Sequence, residues 1–296
     1  MPGGPGGGGG AGRARVTRIA VAQLTGVVGD CAGNRARTVA AAEEAFARGA
    51  EVVVLPELIV PGYGWDAADL ARDAEQLDGE TVAAWTAVAR EAGGLVAGGF
   101  AERAGEDLFN TAVLVGPDGV LLHYRKLHLF AGEKETFTPG DRGLPVVETA
   151  VGTVGLCVCY DLRFVETLRV LALRGADLVC VPTAWVPGFD DALWDAEGFC
   201  PQARTALVQA NLDQVAIACA SQAGASGGFR FLGSSVIGDA RGTCVAGPLP
   251  GDGEATAIAE IDLDDVRAAR DRGTGIRPRA DRRTDVYAIA VGNERM

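Results

Sequence analysis

Apolar runs of five to seven residues alternate along the chain with longer Ala-rich segments that also carry Glu and Arg. The runs RIAVAQL, EVVVL and DLVCVP show no regular apolar–polar alternation. Such continuous runs are typical of strands that are covered on both faces, so we expect sheets buried between other layers. The segments between the runs predict helices over 34–48, 81–92, 165–174 and 202–212.

The predicted strands occur both singly between helices and in pairs. The turn signal Pro117-Asp118-Gly119 predicts a hairpin between strands over 110–115 and 119–124. The other predicted strands are 18–24, 51–55, 95–100, 146–148, 154–159, 177–182, 215–220, 233–237 and 256–261, with a polar loop over 127–144 and a short helix over 262–272. This mixture indicates a layered α/β fold with mixed sheets. Because no linker interrupts 13–296, we predict one domain there, preceded by a flexible Gly-rich tail over 1–12.

The composition narrows the class of protein. Hydrophobic residues make up 48% of the 296 residues and charged residues 22%, which is enough for a substantial core. The net charge of −12 repels phosphate backbones, so nucleic acid is a poor partner. No apolar run approaches the roughly 20 residues that span a bilayer, so no membrane partner is expected. The Gly-rich start lacks the apolar segment of a secretory signal and the seven cysteines are scattered, so we expect reduced thiols and a cytoplasmic location.

The stretch GLCVCYDLRF contains two cysteines and suggests a metal site, a redox pair, a packed strand or a nucleophile. Cys157 and Cys159 are too close together for the usual zinc knuckle, and no second Cys/His cluster exists, so no metal is expected. A thioredoxin-type pair needs two intervening residues. A Cys–His mechanism needs a histidine base, and either His123 or His128 can serve in principle. His123 falls in a predicted strand and is interpreted as structural.

Three residues lie at or just beyond the ends of predicted strands. Cys159 ends one strand and precedes a predicted helix, where backbone N–H groups stabilise a thiolate, so we expect a lowered pKa at Cys159. Cys157, two residues deeper, is interpreted as packing. Glu57 follows the run EVVVLP, and Lys126 follows LLHYR. Taken singly, they are as typical of a buried thiol, a loop carboxylate and a snorkelling lysine as of a site.

Together, Glu57, Lys126 and Cys159 supply a carboxylate, an ammonium and a thiol. This set suits acyl transfer from an amide without histidine. The carboxylate takes the thiol proton as the sulfur attacks the carbonyl, and then returns the proton to the leaving amine. The ammonium stabilises the tetrahedral oxyanion, together with a backbone N–H after the nucleophile.

The same stretches resemble a known family. VVVLPELIVPGYG, YRKLHLF, GLCVCYDLRFVETLRVLALRGADLVCVPTAW and FLGSSVIGDARG are similar in order and rough spacing to motifs of the nitrilase superfamily of carbon–nitrogen hydrolases. The resemblance spans about residues 15–288 and implies a four-layer α-β-β-α sandwich with a Glu-Lys-Cys triad. It implies Glu57 as general base, Lys126 as oxyanion stabiliser and Cys159 as nucleophile. Glu133 is the preferred second glutamate, and Glu135 is the alternative.

The resemblance also implies a reaction. Members that act on nitriles typically have Trp-Glu after the nucleophile, whereas Tyr160-Asp161 resembles the amidase and carbamoylase branches. The implied reaction hydrolyses a linear amide or N-carbamoyl group through a Cys thioester, releases ammonia and needs no cofactor. Members are commonly homo-oligomers. The alternatives are a nitrilase reaction and a non-catalytic binding protein on the same fold. The chain differs from many relatives at position 165, where it has Val165 and they have a proline.

Four residues are candidates for substrate binding: Tyr63, Tyr160, Trp185 and Arg163. The loop WVPGFDDALWDAEGF offers an apolar wall and an acidic cluster, namely Trp185, Phe189 and Trp194 with Asp190, Asp191, Asp195 and Glu197. The acidic cluster is interpreted either as a solvated surface or as attraction for an amine-bearing substrate, as in N-carbamoylputrescine hydrolysis. Arg163 favours a substrate carboxylate instead, unless it forms an ion pair with Glu166.

Overall fold

The computed structural model describes residues 16–189 and 191–296, so the tail predicted over 1–12 lies outside the described residues. The strands are β1 (Val16–Gln23), β2 (Val52–Val54), β3 (Leu95–Ala104), β4 (Asp107–Gly116), β5 (Gly119–Arg125), β6 (Val146–Thr149), β7 (Gly152–Leu156), β8 (Leu178–Thr183), β9 (Ala216–Ser221), β10 (Ala223–Ser226), β11 (Phe229–Leu232), β12 (Val236–Gly238), β13 (Cys244–Ala246), β14 (Ala255–Asp262), β15 (Ala290–Val291) and β16 (Glu294–Arg295). The helices are α1 (Cys31–Ala47), α2 (Ala67–Asp73), α3 (Glu80–Ala92), α4 (Glu133–Thr136), α5 (Val165–Leu173), α6 (Pro201–Asp213) and α7 (Leu263–Ala268), with a 3₁₀ helix at Cys159–Arg163.

Two six-stranded sheets form the centre of the fold. The first has the order β14-β1-β2-β3-β4-β5, and the second has the order β13-β12-β9-β8-β7-β6. Strands β1, β2 and β3 run parallel, as do β7, β8 and β9, while the outer strands of both sheets pair antiparallel. Both sheets are therefore mixed, as the sequence predicted.

Burial on both faces of the central strands arranges the chain in four layers. In β1, Ile19 and Val21 belong to the core between the two sheets, whereas Ala20 belongs to a second core with α1 and α3. On the far side of the second sheet, Leu171 of α5 and Leu207 of α6 are buried in the first core. The helix–sheet–sheet–helix order confirms the predicted four-layer α-β-β-α sandwich. It also explains why the apolar runs lack alternation, since both faces of each strand are covered.

The strand predicted over 154–159 is shorter than expected. Strand β7 ends at Leu156, and the backbone N–H of Cys157 reaches the Cys180 carbonyl of β8 only at 3.5 Å. Positions 157 and 158 carry apolar residues, Cys157 and Val158, because both positions are buried, although the strand has already ended. Helix α4 lies inside the predicted polar loop, and the hairpin β10–β11 and helix α2 were not predicted. Short elements of this kind carry too few residues for a periodic signal.

Candidate active site

The three residues of the predicted triad each follow a strand that ends at the same region of the fold. Glu57 lies just after β2, and Lys126 lies directly after β5, both in the first sheet. Cys159 lies just after β7, in the second sheet. No short segment of the chain connects Cys159 to Glu57 or Lys126. The stacking of the two sheets therefore brings the thiol close to the two charged groups.

Lys126 forms the centre of a buried charge cluster. Its Nζ lies 2.7 Å from Glu57 Oε1 and 2.9 Å from Glu133 Oε1. All three side chains are fully or nearly fully buried. Glu135, the alternative second glutamate, is exposed and does not contact Lys126 among the described ion pairs. The cluster thus holds one ammonium between two carboxylates.

Polar groups from three further segments hold the two carboxylates. The Tyr63 hydroxyl donates a 2.7 Å hydrogen bond to Glu133 Oε1, and the Phe130 backbone N–H donates a 2.9 Å bond to Glu133 Oε2. Asn110 Nδ2 donates a 2.7 Å bond to Glu57 Oε1. The sequence interpretation missed Asn110. A buried amide is costly without a partner, so an asparagine inside the apolar strand NTAVLV was the available signal.

Glu57 is anchored through its backbone as well. Its N–H donates to the Thr183 carbonyl at 3.2 Å, and its carbonyl accepts from Gln222 Nε2 at 2.9 Å. The segment also crosses strand β3 closely, because a Cβ at Gly99 would lie 2.8 Å from Glu57 Cα. Among the described residues, Glu57 Oε2 has no hydrogen-bond partner although it is buried. This free oxygen is able to accept a proton from a neighbouring group.

Burial and the neighbouring charges shift the pKa values of both Glu57 and Lys126. Burial raises the pKa of Glu57, Lys126 lowers it and Glu133 raises it, so the pKa stays above its ordinary value. Burial lowers the pKa of Lys126, but Glu133 and Glu57 outweigh that effect and raise it, so the amine stays protonated.

The expected lowered pKa of Cys159 is wrong. Burial and the Glu57 carboxylate raise the pKa of the Cys159 thiol well above its ordinary value, although Lys126 and a hydrogen bond with the Ala184 backbone oppose the rise. The sequence prediction considered the helix start alone, and the nearby carboxylate was not visible in the local sequence. The resting thiol therefore keeps its proton and needs a base when it attacks.

Cys159 does not end a strand but begins the 3₁₀ helix, and its φ is +45°. A non-glycine residue in this left-handed region is held there only by its surroundings. The side chain is partly exposed and opens into a pocket, whereas Cys157 is fully buried in the core. The turn therefore presents one cysteine to the pocket and packs the other.

The pocket at Cys159 is mainly apolar, and five aromatic side chains line it. Lys126, Phe130 and Phe189 belong to its lining. The four predicted substrate-binding residues line it as well: Tyr63, Tyr160, Trp185 and Arg163. The Arg163 guanidinium lies 4.4 Å from the centre of the Phe189 ring. No described ion pair joins Arg163 to Glu166. Arg163 is therefore a cation at the pocket wall without a described carboxylate partner.

The loop after β8 differs from its predicted arrangement. Trp194 is absent from the pocket lining, because its indole N–H donates to the Leu232 carbonyl at 2.9 Å. Asp195 and Glu197 both pair with Arg204. Asp191 is exposed, and Asp190 lies outside the described residues. The described acidic residues of this loop are thus solvated or paired, and none of them lines the pocket.

The two histidines contact carboxylates outside the charge cluster. His123 Nε2 lies 2.7 Å from Glu102, and His128 Nδ1 lies 2.7 Å from Asp161. Over 16–189 and 191–296, no group of three or more His, Cys, Asp or Glu side chains is placed to hold a metal ion. Within the same residues, no helix combines the length and the apolar character needed to cross a membrane.

Comparisons with known proteins agree with this architecture. The family model for carbon-nitrogen hydrolases matches residues 18–271. A nitrilase from Pyrococcus abyssi is 33% identical over 258 residues, 86% of this chain and 93% of that protein. An omega-amidase from Homo sapiens is 32% identical over 270 residues, 87% of this chain and 92% of that protein. A solved amidase structure from Nesterenkonia sp. matches with a TM-score of 0.73 and 28% identity, covering 93% of this chain and 96% of that chain.

The sandwich fold and the family match define an enzyme class, the hydrolases of carbon–nitrogen bonds. The chain belongs to the carbon–nitrogen hydrolase family, the nitrilase superfamily. The family predicted from the sequence motifs is therefore confirmed.

Proposed function

We propose that the protein hydrolyses a short linear amide, with Cys159 as nucleophile, Glu57 as general base and Lys126 as oxyanion stabiliser. The observation that carries this proposal is the buried contact of Lys126 with Glu57 at 2.7 Å beside the only thiol that opens into the aromatic pocket, among the described residues. Relatives named as amidases support it. In one structure of a Glu-to-Gln mutant of the Nesterenkonia sp. amidase, the acetamide moiety of fluoroacetamide is covalently added at the active-site cysteine.

In the proposed mechanism, the free Oε2 of Glu57 accepts the thiol proton while Sγ of Cys159 attacks the amide carbon. Lys126 and the backbone N–H of Tyr160 stabilise the oxyanion that forms. Glu57 then returns the proton to the leaving nitrogen, which departs as ammonia and leaves a thioester. Glu57 next takes a proton from water, and the hydroxide attacks the thioester carbon. The carbon–sulfur bond then breaks, the carboxylic acid is released, and Glu57 returns its proton to the sulfur, which restores the thiol and the carboxylate.

Glu133 has a supporting role in this scheme. Its two oxygens contact Lys126, and its carboxylate is the largest electrostatic influence that raises the pKa of the amine. Without Glu133, the buried amine would have one carboxylate neighbour in place of two. Glu133 thus helps to keep Lys126 charged while Glu57 changes its protonation state.

The charge of the pocket favours one kind of amide. Arg163 stands at the pocket wall, and no acidic side chain of the described loop 185–197 lines the pocket. We therefore propose an ω-amide that carries a carboxylate at its far end, with the chain against Tyr160 and Phe189 and the carboxylate at Arg163. An N-carbamoyl amine of the putrescine type is less well supported, because its ammonium would meet the arginine.

The experiment is an ammonia-release assay on three substrates: a neutral aliphatic amide, an ω-amide of a short dicarboxylic acid and an N-carbamoyl amine. We expect the ω-amide to give the largest kcat/KM. In Arg163→Met, its KM should rise about tenfold, since a charge-assisted hydrogen bond of about 1.5–3 kcal/mol is lost, and the neutral amide should change little. Arg204→Met is the matched control, because Arg204 also stacks on a phenylalanine, Phe199, but outside the pocket.

Other outcomes would select the alternatives. Turnover of nitriles with no turnover of amides would replace the amidase proposal with a nitrilase. A folded protein that binds amides without releasing ammonia would support the non-catalytic alternative. An unchanged KM for the ω-amide in Arg163→Met would remove Arg163 from substrate recognition.

We also propose that the protein forms a homo-oligomer through α5 and α6. These packed helices expose Val165, Val208 and Leu212, which are 62%, 57% and 53% accessible. Apolar surface of this kind is stabilised when a second copy covers it. Multi-angle light scattering should give a dimer or larger species, and Val208→Glu with Leu212→Glu should shift it toward the monomer. Val120→Glu, an exposed valine on β5, is the control, and a wild-type monomer at high concentration would contradict the proposal.

A further inference from the structure

Asp161 is a fully buried carboxylate that is not a member of the proposed triad. Its Oδ2 accepts hydrogen bonds from the Val158 backbone N–H at 2.9 Å and from the Tyr124 hydroxyl at 2.7 Å. Its Oδ1 accepts from the His128 backbone N–H at 3.1 Å and lies 2.7 Å from His128 Nδ1. We call this set, Asp161 with Tyr124, Val158 and His128, the Asp161 clamp.

One side of the Asp161 clamp closes the turn that carries the nucleophile. The backbone N–H of Asp161 donates to the Val158 carbonyl at 2.9 Å, while the Asp161 side chain accepts from the Val158 N–H. These two bonds enclose Cys159 and Tyr160. They supply a physical reason for the positive φ of Cys159, because the turn is held from both ends.

The other side of the clamp holds the segment that carries Lys126. Tyr124 and His128 lie two residues before and two residues after Lys126, and both contact Asp161. The Tyr124 hydroxyl also accepts from the Leu127 N–H at 3.2 Å, and the His128 ring stacks on Phe164 at 3.6 Å. One carboxylate therefore joins the end of β5 in the first sheet to the turn after β7 in the second.

We propose that Asp161 is a positioning residue that sets where Cys159 lies relative to Lys126. The proposal rests on the roles proposed above for these two residues. A displacement of either segment would move the sulfur away from the ammonium and from the base, and misplacement of reacting groups by about 1 Å costs on the order of 10²-fold in rate. Asp161 itself reaches the reaction only through the two segments that it holds.

A second carboxylate in the fold provides a comparison. Glu102 is also buried and also lies 2.7 Å from a histidine, His123 of β5. Its other partners are Thr111 and Arg125, and it does not contact the turn at Cys159 among the described hydrogen bonds. Loss of the His123 bond should therefore affect stability without affecting the position of the thiol.

The test removes the side-chain partners of Asp161 one at a time in the full-length protein. Tyr124→Phe deletes one hydroxyl, His128→Leu deletes the ring nitrogen, and His128→Asn offers an amide N–H near the position of Nδ1. The readouts are the rate of Cys159 alkylation by iodoacetamide, followed by mass spectrometry of its peptide, and kcat and KM in the ammonia assay. His123→Leu, which removes an equally short bond to Glu102, is the matched control.

We expect Tyr124→Phe and His128→Leu to slow alkylation of Cys159 and to lower kcat about tenfold or more, with KM changed by less than about threefold. His128→Asn should recover most of the alkylation rate, and His123→Leu should leave both rates within about twofold of wild type. Each of these variants removes one side-chain contact to Asp161 or Glu102, while Tyr124→Phe also removes the acceptor of the Leu127 N–H and His128→Leu also removes the stacking on Phe164. They are compared after circular dichroism has established the folded fraction.

Wild-type alkylation rates in both Tyr124→Phe and His128→Leu would overturn the proposal, as would equal slowing in His123→Leu. Alkylation needs no substrate of the enzyme. If the wild-type protein releases no ammonia from any amide while the clamp variants still slow alkylation, the proposed function fails and the Asp161 clamp stands.

Discussion

Replacement of Cys159 by alanine is expected to abolish amide hydrolysis, with a loss of about 10⁴-fold or more in kcat. The thiol is the group that forms the covalent bond to the acyl carbon in the proposed mechanism, and alanine offers no substitute. The change removes one sulfur from a partly exposed side chain, so the fold should persist. The loss in kcat is measured as the rate of ammonia release at saturating amide, with a no-enzyme blank subtracted.

Cys157→Ala is the matched control for this result. Cys157 is two residues away and fully buried, and burial together with Asp161 raises the pKa of its thiol well above its ordinary value. It has no access to the pocket, so we expect most of the activity to remain, with a loss of about 1 kcal/mol in stability from the small cavity. Equal inactivation by both changes in folded protein would mean that the nucleophile has been assigned wrongly.

Glu57→Gln is expected to lower kcat about 10³-fold, because the amide of glutamine does not accept the thiol proton. Glutamine keeps the shape of the side chain and an oxygen toward Lys126 and Asn110, so the buried cluster keeps most of its contacts. A change at Lys126 is less informative, since removal of one partner from a buried ion pair typically destabilises by about 3–5 kcal/mol. Glu135→Gln, an exposed glutamate nearby, is the control and should retain activity.

The pH dependence gives a second measurement for Glu57. Glu57 must be ionised to accept a proton, and burial raises its pKa above the ordinary value of 4.5. The kcat/KM of the wild-type enzyme should therefore fall as the pH decreases through this raised pKa, and the acid limb should lie above that of an ordinary glutamate. In Glu57→Gln the residual activity should lose this limb. An acid limb that survives the substitution would assign it to another group.

The layered architecture was predictable because its signal is local. After their first, acidic residue, runs such as EVVVL and DLVCVP are apolar at every position, so both faces of each strand must be covered. The same local signal placed the end of the strand before Cys159 too late, at residue 159 in place of Leu156. Burial and strand pairing both select apolar residues, so the sequence does not reveal that pairing stops at Leu156 while burial continues.

The sequence predicted the reactive groups of the candidate site but not all of the side chains that contact them. Glu57, Lys126 and Cys159 stood out as reactive groups at strand ends, and family motifs linked them. Asn110 was missed, since its partner Glu57 is 53 positions away along the chain. The acidic loop was open to two interpretations until Arg204 was seen to pair with Asp195 and Glu197.

The sequence by itself determined the fold class, the family and the chemical identity of the proposed reacting groups, because these depend on local patterns and on motifs that lie on single segments. The tertiary structure decided which carboxylates surround Lys126, that the pKa of Cys159 is raised and that Arg163 lines the pocket while the described acidic residues of the loop after β8 do not. These properties depend on distances between side chains that come from different strands and loops. Electrostatic effects fall off with distance and grow with burial. The distances between these groups and their burial are set only when the chain has folded.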